Sequence, residues 1–279
     1  MSNKTFADNF LRGHSAIVTG GGSGIGKGIV DAYLEHGCNV AIVGRKKDRL
    51  DATAAELMRK HNNGTLCVAV QADVRDYKLL SEAFDNAAKQ IGRITILVNG
   101  AAGNFLAPIT GLSSNAFKTV MDIDTVGTFN ASKLAHEKWF KENGGNIINL
   151  SANLHMTAQV LQVHAGAAKA AIDAMTGHMA VEWGGENIRV NSICIGPIDE
   201  TEGFSRLLPP NLIEDMRQNI PLLRFGKIQD IANMCLYLSS PASSYVTGAI
   251  IKVDGGSTFT SGCSMPQYMN KMKSFKSKL

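Results

Sequence analysis

This sequence has no apolar run approaching the roughly 20 residues that span a bilayer. Its longest apolar stretches, such as Ile94–Val98 and Ile147–Leu150, have the length of strands. It also lacks a surplus of one charge over most of its length. There are 28 basic and 24 acidic side chains, and the four lysines of Lys271–Leu279 account for the difference. A body without net charge is a poor general binder of nucleic acid, whose affinity rests on neutralising phosphates. Cysteine pairing is missing too. Cys38, Cys67, Cys194, Cys235 and Cys263 are odd in number, scattered, and form no Cys-x-x-Cys. That usage favours a reducing environment with each thiol packed as a small hydrophobe, and no metal site is expected.

The opening segment, MSNKTFADNF, has no apolar core of the kind a secretory signal needs. At the other end the chain finishes on Ser277-Lys278-Leu279, the tripeptide read by the peroxisomal import receptor, presented on a lysine-rich segment. An ordinary charged tail is the alternative. The expectation is the peroxisomal matrix.

With 279 residues, the chain has material for one large α/β domain or two small ones. Strand-like and helical stretches alternate. Ser15–Thr19, Asn39–Val43, Leu66–Val70, Ile94–Asn99, Asn146–Ser151, Ile188–Cys194 and Ala249–Val253 read as strands. Ile25–His36, Arg49–His61, Asp76–Ile91, a long stretch around Ser114–Lys141, Gln162–Gly184 and Ile228–Leu238 read as helices. Alternation of this kind means parallel strands joined by right-handed crossovers. The prediction is a single α/β domain, 1–279: a Rossmann-type, doubly wound, seven-stranded parallel sheet with helices on both faces. Its core spans about 12–260, and 261–279 is a tail. From Pro197 to Pro221 the alternation breaks, with Pro209 and Pro210 in between. This stretch follows a strand's carboxyl end, where ligands bind in such sheets, so a mobile flap over the site is expected. An inert surface excursion is the alternative.

Between the first strand and the first helix lies Thr19-Gly20-Gly21-Gly22-Ser23-Gly24-Ile25-Gly26. Gly20 permits a sharp turn, Gly24 lets backbone approach a pyrophosphate, and Gly26 lets helix pack close to sheet. The phosphate would meet the free N–H groups of the helix start, around Gly22, Ser23 and Ile25. The second strand runs into Gly44-Arg45-Lys46-Lys47, with no acid before Asp48. A carboxylate there would grip an NAD ribose and repel a 2′-phosphate. Arg45, with Lys46 and Arg49 beside it, can instead pair with that phosphate, so NADPH is the expected cofactor. Asp73, followed by Val74, is placed to accept from the adenine amino group. Asn99-Gly100-Ala101 supplies a small turn past which the ribose fits.

These features resemble the short-chain dehydrogenase/reductase family over about residues 12–260. Lys169, Asn191-Ser192, Gly196-Pro197 and Val253-Asp254-Gly255-Gly256 fall in the same family order. The resemblance implies the fold, nucleotide dependence and a homotetramer. It also implies cofactor contacts from Gly196, Pro197, Ile198 and Thr201. The family's usual chemistry is not implied. Members that reduce carbonyls use a Tyr four residues before the Lys and a Ser thirteen before that Tyr; here those positions are Ala165 and Ala152. The Asn on the long helix is replaced by Asp124, and no tyrosine occurs between Tyr77 and Tyr237. Without a phenol, the ordinary means of protonating an alkoxide is gone.

Two explanations survive: an inactive nucleotide binder, or a hydride acceptor that never becomes an alkoxide. Several segments resemble the subgroup of the family that reduces 2,4-dienoyl-CoA to 3-enoyl-CoA with NADPH in peroxisomes. They are Ala101–Phe105, Val120–Thr125, Leu161–Gly166 with Lys169, and Gly196–Ile198 through Thr201-Glu202-Gly203. A reductase of 2-enoyl-CoA is the rival among enzymes.

That resemblance implies an acyl-CoA substrate, with Lys169 on the nicotinamide ribose. Asp124 would order a water or donate the last proton, and Asp254 is either a second acid or an ordinary turn residue before Gly-Gly. Arg45, Arg75, Phe105, Ser113, Ser114, Asn115 and Arg206 are the implied acyl-CoA contacts. His164 lies about 140° round the helix from Lys169 and is read as a packing residue. His155 stands in the loop after the fifth strand, on the side of the cleft.

Overall fold

The seven apolar runs become β1 (Ser15–Thr19), β2 (Asn39–Gly44), β3 (Cys67–Gln71), β4 (Ile96–Asn99), β5 (Gly145–Ala152), β6 (Ile188–Ile195) and β7 (Ile250–Val253). They form one sheet in the order β3-β2-β1-β4-β5-β6-β7, and every neighbouring pair is parallel. The computed structural model describes residues 5–199, 201, 204 and 213–260. Arg206, Pro209, Pro210, Cys263 and the terminal Ser277-Lys278-Leu279 lie outside the described residues, as do Glu202 and Gly203.

Strand alternation divides the apolar residues between two layers. Val18, Ile42, Val98, Ile148 and Ile193 face one layer, with α1 (Gly24–Glu35), α2 (Lys47–Lys60) and, near the chain's end, Ile228–Ser239 packed over them. Ile17, Ala41, Leu97, Ile147 and Val190 face the other. That face is covered by α3 (Tyr77–Ile91), by a long helical rod beginning at Ser114, and by the helix Val163–Trp183. The order of connection reverses between β1 and β4, where Thr19 stands opposite Asn99. Strands diverging to both sides there leave a crevice at their carboxyl ends.

The observed elements match the expected ones to within a few residues, and two differences bear on function. The rod is not a continuous α-helix. It runs as α4 (Ser114–Met121), a π-helical turn (Asp122–Val126), α5 (Gly127–Ala135), a second π-helical turn (His136–Phe140) and α6 (Lys141–Asn143). A π turn adds one residue to a turn and leaves the apolar spacing nearly intact, so periodicity does not reveal it; such turns are frequent at functional sites. Short helices also occur where none was expected: α7 (Leu154–Thr157) before α8 (Val163–Trp183), and α9 (Ile213–Gln218) inside the Pro197–Pro221 stretch, ahead of α10 (Ile228–Ser239). Four to six residues are too few to show a helical period.

No helix among the described residues is long and apolar enough to cross a membrane. Nor does any group of three or more His, Cys, Asp or Glu among them have the placement of a metal site.

The contact between α1 and α10 depends on Gly28, where a Cβ would stand 2.0 Å from Ile228 Cγ2. Isoleucine is stiff at χ1 and cannot swing aside. Gly28→Val is therefore expected to destabilise the protein by about 1–3 kcal/mol, measured as a lower urea midpoint. Adding Ile228→Ala should recover part of that loss; a simple sum of the two single losses would show that the contact is not where the strain arises.

Candidate active site

The crevice is built first from backbone. β1 ends at Thr19, and Gly20 turns the chain with φ +73°; a Cβ there would meet Gly100 O at 2.6 Å. At Gly26 a Cβ would lie 2.3 Å from Gly20 O. Thr19 locks the two turns together, its Oγ1 accepting from Gly100 N (3.1 Å) and Ala101 N (3.2 Å). Ser23 precedes α1 without capping it through its side chain, so the first amides of α1 remain available to a phosphate. Gly22 lies against Leu50, and its carbonyl accepts from Thr53 Oγ1 at 3.0 Å. The cradle fits a dinucleotide pyrophosphate, because side chains at Gly20 or Gly26 would fill the space the backbone needs.

Around this turn, Arg45, Lys46 and Arg49 are exposed where β2 passes into α2. Asp73 follows β3, but its carboxylate is gripped by Arg75, with Nε to Oδ1 at 3.0 Å and a terminal nitrogen to Oδ2 at 2.6 Å. The Arg75 hydrogen bond outweighs partial burial and, with Arg45 nearby, holds the Asp73 carboxyl below the usual carboxylate range. Arg75 is thus engaged within the protein. Val74 packs on Gly127. Asn99 turns its side chain inward, Nδ2 donating to Ser132 Oγ (2.9 Å) and Asn149 Oδ1 (2.8 Å), so only the backbone of its turn faces the crevice.

Deeper in, the π turn presents Asp124, which is 1% exposed. Its Oδ2 lies 3.1 Å from Lys169 Nζ, and its Oδ1 accepts from Gly103 N at 2.6 Å. Lys169, itself buried, also donates to Leu150 O at 3.0 Å. The pair therefore joins the rod, α8, β5 and the loop after β4. Ala165 and Ala152 leave methyl groups where hydroxyls would be required for carbonyl reduction.

A cavity of about 670 Å³ opens at the carboxyl ends of β5 and β6, walled by Ile25, Asn104, Leu106, Ala152, Leu154, Val160, Leu161, Gln162, Met216 and Ile220; Asp124 and Lys169 are not among its lining residues. The expected residues Gly196, Pro197, Ile198 and Thr201 line the same wall. Phe105 is not among its lining residues; its ring stacks on His164 with ring centres 4.3 Å apart, while His164 Nε2 meets Phe105 O at 3.0 Å. His164 is fully buried, in keeping with a packing role. Ser113 caps α4, its Oγ accepting from Ala116 N at 3.1 Å, and Ser114 and Asn115 are exposed in that helix's first turn. These three do not border the cavity.

Asp254 takes the turn arrangement. Its carboxylate accepts from Gly256 N (2.9 Å), Thr258 N (2.8 Å), Thr258 Oγ1 (2.5 Å) and Ser257 Oγ (3.3 Å). Burial pushes the group up, but these hydrogen bonds outweigh it and hold the carboxyl below its ordinary value of 3.8. That favours the charged form, the opposite of what a proton donor needs. Asn153 Nδ2 donates to Ser257 Oγ at 3.0 Å, tying the same turn to α7.

Sequence reasoning missed a further cluster. His155 Nε2 lies 3.2 Å from Asp173 Oδ2, and Asp173 Oδ1 accepts from Ser192 Oγ at 2.6 Å. Asp173 stands four residues after Lys169 on α8, the one signal that could have found it.

Comparison with known proteins agrees with this geometry. Residues 20–258 match a family described as enoyl-(acyl carrier protein) reductase. The chain is 47% identical over 273 residues to a peroxisomal 2,4-dienoyl-CoA reductase of Rattus norvegicus, covering 98% of this chain and 91% of that one. It is 43% identical over 261 residues to the enzyme of the same name from Arabidopsis thaliana, covering 90% and 86%. Among solved structures, a short chain dehydrogenase from Bacillus anthracis superposes with a TM-score of 0.79 at 36% identity, covering 88% of this chain and 96% of that one.

The capped Asp254 has a consequence for acid stability. Because its folded value lies below the unfolded one, it contributes stability above about pH 3.8, and that contribution is lost as pH falls through the folded value. Asp254→Asn should therefore be less stable than the parent near neutral pH, with the gap closing in strong acid. Chemical denaturation at several pH values reads this directly; a gap independent of pH would mean the turn does not depend on the charge.

Proposed function

The chain belongs to the short-chain dehydrogenase/reductase family, and from that premise we propose that it reduces 2,4-dienoyl-CoA to 3-enoyl-CoA with NADPH in the peroxisomal matrix. One observation carries the reading: where carbonyl reducers hold a phenol, this cleft has Ala165 beside a buried Asp124–Lys169 pair. Hydride delivered to a ketone makes an alkoxide that needs an acid at once. Hydride delivered to the far carbon of a conjugated dienoyl thioester makes an anion spread along the chain to the thioester oxygen. Such a charge is stabilised by fixed donors and positive potential. A proton then adds at the carbon next to the thioester, and the remaining double bond lies between the third and fourth carbons.

The cofactor supplies the hydride. The glycine turn holds its pyrophosphate, and Arg45, with Lys46 and Arg49, holds a 2′-phosphate. Gly196, Pro197, Ile198 and Thr201 close on the nicotinamide end. Lys169, its charge balanced by Asp124, binds the nicotinamide ribose. Asp124, its Oδ1 accepting from Gly103 N, orders the water that brings the final proton. Asp254 holds the 254–258 turn in place. The exposed Ser113, Ser114 and Asn115, together with Arg206, meet the CoA moiety, whose phosphates suit arginine. Import through Ser277-Lys278-Leu279 and a homotetrameric assembly complete the reading; the relatives named peroxisomal support the compartment.

A second reading, reduction of a 2-enoyl thioester, is favoured by the description of the matched family as an enoyl reductase. Loss of NADPH absorbance with 2,4-dienoyl-CoA and with 2-enoyl-CoA separates the two, and product analysis must find a 3-enoyl thioester. NADPH binding with neither substrate turned over would make the chain an inactive nucleotide binder.

Asp124→Ala should abolish turnover and, by removing the partner that fixes Lys169, also weaken NADPH, whereas an active variant would remove Asp124 from the chemistry. Arg45→Asp is expected to weaken NADPH by about 1.5–3 kcal/mol, the worth of a charge-assisted contact. NADH affinity should hold or improve. Equal losses for both cofactors would place Arg45 elsewhere than on the 2′-phosphate.

A further inference from the structure

We propose that Gln162 is a catalytic residue, its side-chain amide donating a hydrogen bond to the thioester oxygen as that oxygen gathers charge; this rests on the reading given under Proposed function. Three observations converge on it. First, Gln162 lines the cavity. It stands seven residues before Lys169 and three before Ala165, so at 100° per residue it lies on the same face of α8 as the lysine, about 10 Å along the axis. The vacant position of the phenol lies between them.

Second, the amide is oriented. Gln162 Oε1 accepts from Asn104 Nδ2 at 2.8 Å, which fixes the plane of the group. Its Nε2, with two protons to donate, has no hydrogen-bond partner among the described residues. A donor held in place by its own oxygen and still unspent is what a developing oxyanion requires, since it need not reorganise during reaction. Neighbouring tethers make the mounting rigid: Ala107 N donates to Leu161 O at 3.0 Å, and His164 Nε2 meets Phe105 O at 3.0 Å.

Third, Gln162 sits at the head of a 21-residue helix that has no side-chain cap. The partial positive charge of that end adds to the amide's pull on an anion. A conjugated acceptor is extended, with hydride arriving at one end and charge collecting at the thioester oxygen. The lysine serves the nicotinamide end of the helix face, and Gln162 lies where the other end needs a donor.

The test uses the full-length protein and a ten-carbon 2,4-dienoyl-CoA. Gln162→Leu should lower kcat about a hundredfold, the effect of losing one oxyanion donor, with KM and NADPH affinity changed less than about threefold. Gln162→Glu keeps shape and volume and replaces the free donor with oxygen, so it should be at least as slow; it serves if the leucine variant fails to fold. Asn104→Leu breaks the tether but spares the donor and should lose less than Gln162→Leu. Without turnover, infrared spectra of bound saturated decanoyl-CoA should show the thioester carbonyl stretch lowered in the parent and relaxed in Gln162→Leu. Variants within threefold of the parent, or an Asn104→Leu loss as large as that of Gln162→Leu with no carbonyl shift, would overturn the proposal. A parent enzyme that reduces no dienoyl-CoA would instead overturn the functional reading, and the infrared comparison still reports on Gln162.

Discussion

A carboxylate and an ammonium buried side by side are expensive, and the architecture of this cleft is organised around meeting that cost. Removing such a pair from water costs several kcal/mol per ion, recovered only when geometry is good and the remaining donors and acceptors are satisfied. Asp124 and Lys169 meet both conditions through Gly103 N and Leu150 O. Those partners belong to the loop after β4 and to β5, both of which border the cavity, so the pair fixes these two elements relative to the rod and α8. The π turn at Asp122–Val126 belongs to the same arrangement, since it carries Asp124 on the rod.

The nucleotide end is held by different physics. Among the described residues, no charged side chain is buried there. Close backbone approach, possible only where Cβ atoms are missing, brings the turn after β1 against the turn after β4, and Thr19 Oγ1 joins them. The two halves of the crevice thus share the segment 100–103. Gly100 and Ala101 face the glycine turn, while Gly103 faces Asp124. A shift of that short segment would disturb both ends, which couples nucleotide binding to the geometry of the ion pair without any long-range device.

Much of this was legible in the chain because it is local. Strands such as Ile147–Leu150 announce themselves as short apolar runs, and the glycine turn sits between a strand and a helix where phosphate chemistry needs it. The Ala165 and Ala152 substitutions are visible by counting from Lys169. What was not legible depends on partners remote in sequence. Asn104 and Gln162 are 58 positions apart, and no composition or period marks them as a pair. Arg75 reads as a free cation until the structure turns it onto Asp73. Asp254 shows the same limit in reverse: two roles were compatible with Asp-Gly-Gly, and only the four donors around its carboxylate decide which one its surroundings favour.

The two departures from carbonyl-reducing relatives are best understood as one change. In those relatives the lysine's charge favours an ionisable phenol beside it. Replace the phenol with Ala165, and the lysine remains buried with a full charge and one fewer partner. An asparagine at position 124 could offer it only a dipole. A carboxylate there neutralises the charge, accepts the Gly103 amide, and keeps the lysine fixed. The same exchange alters what the cleft can stabilise. A site with a phenol donates a proton at the point of hydride attack. A site with a neutralised lysine has no such acid there and must rely on donors placed further along an extended acceptor. Losing the phenol therefore shifts the chemical burden along α8, from Ala165 toward the amide of Gln162 at its head.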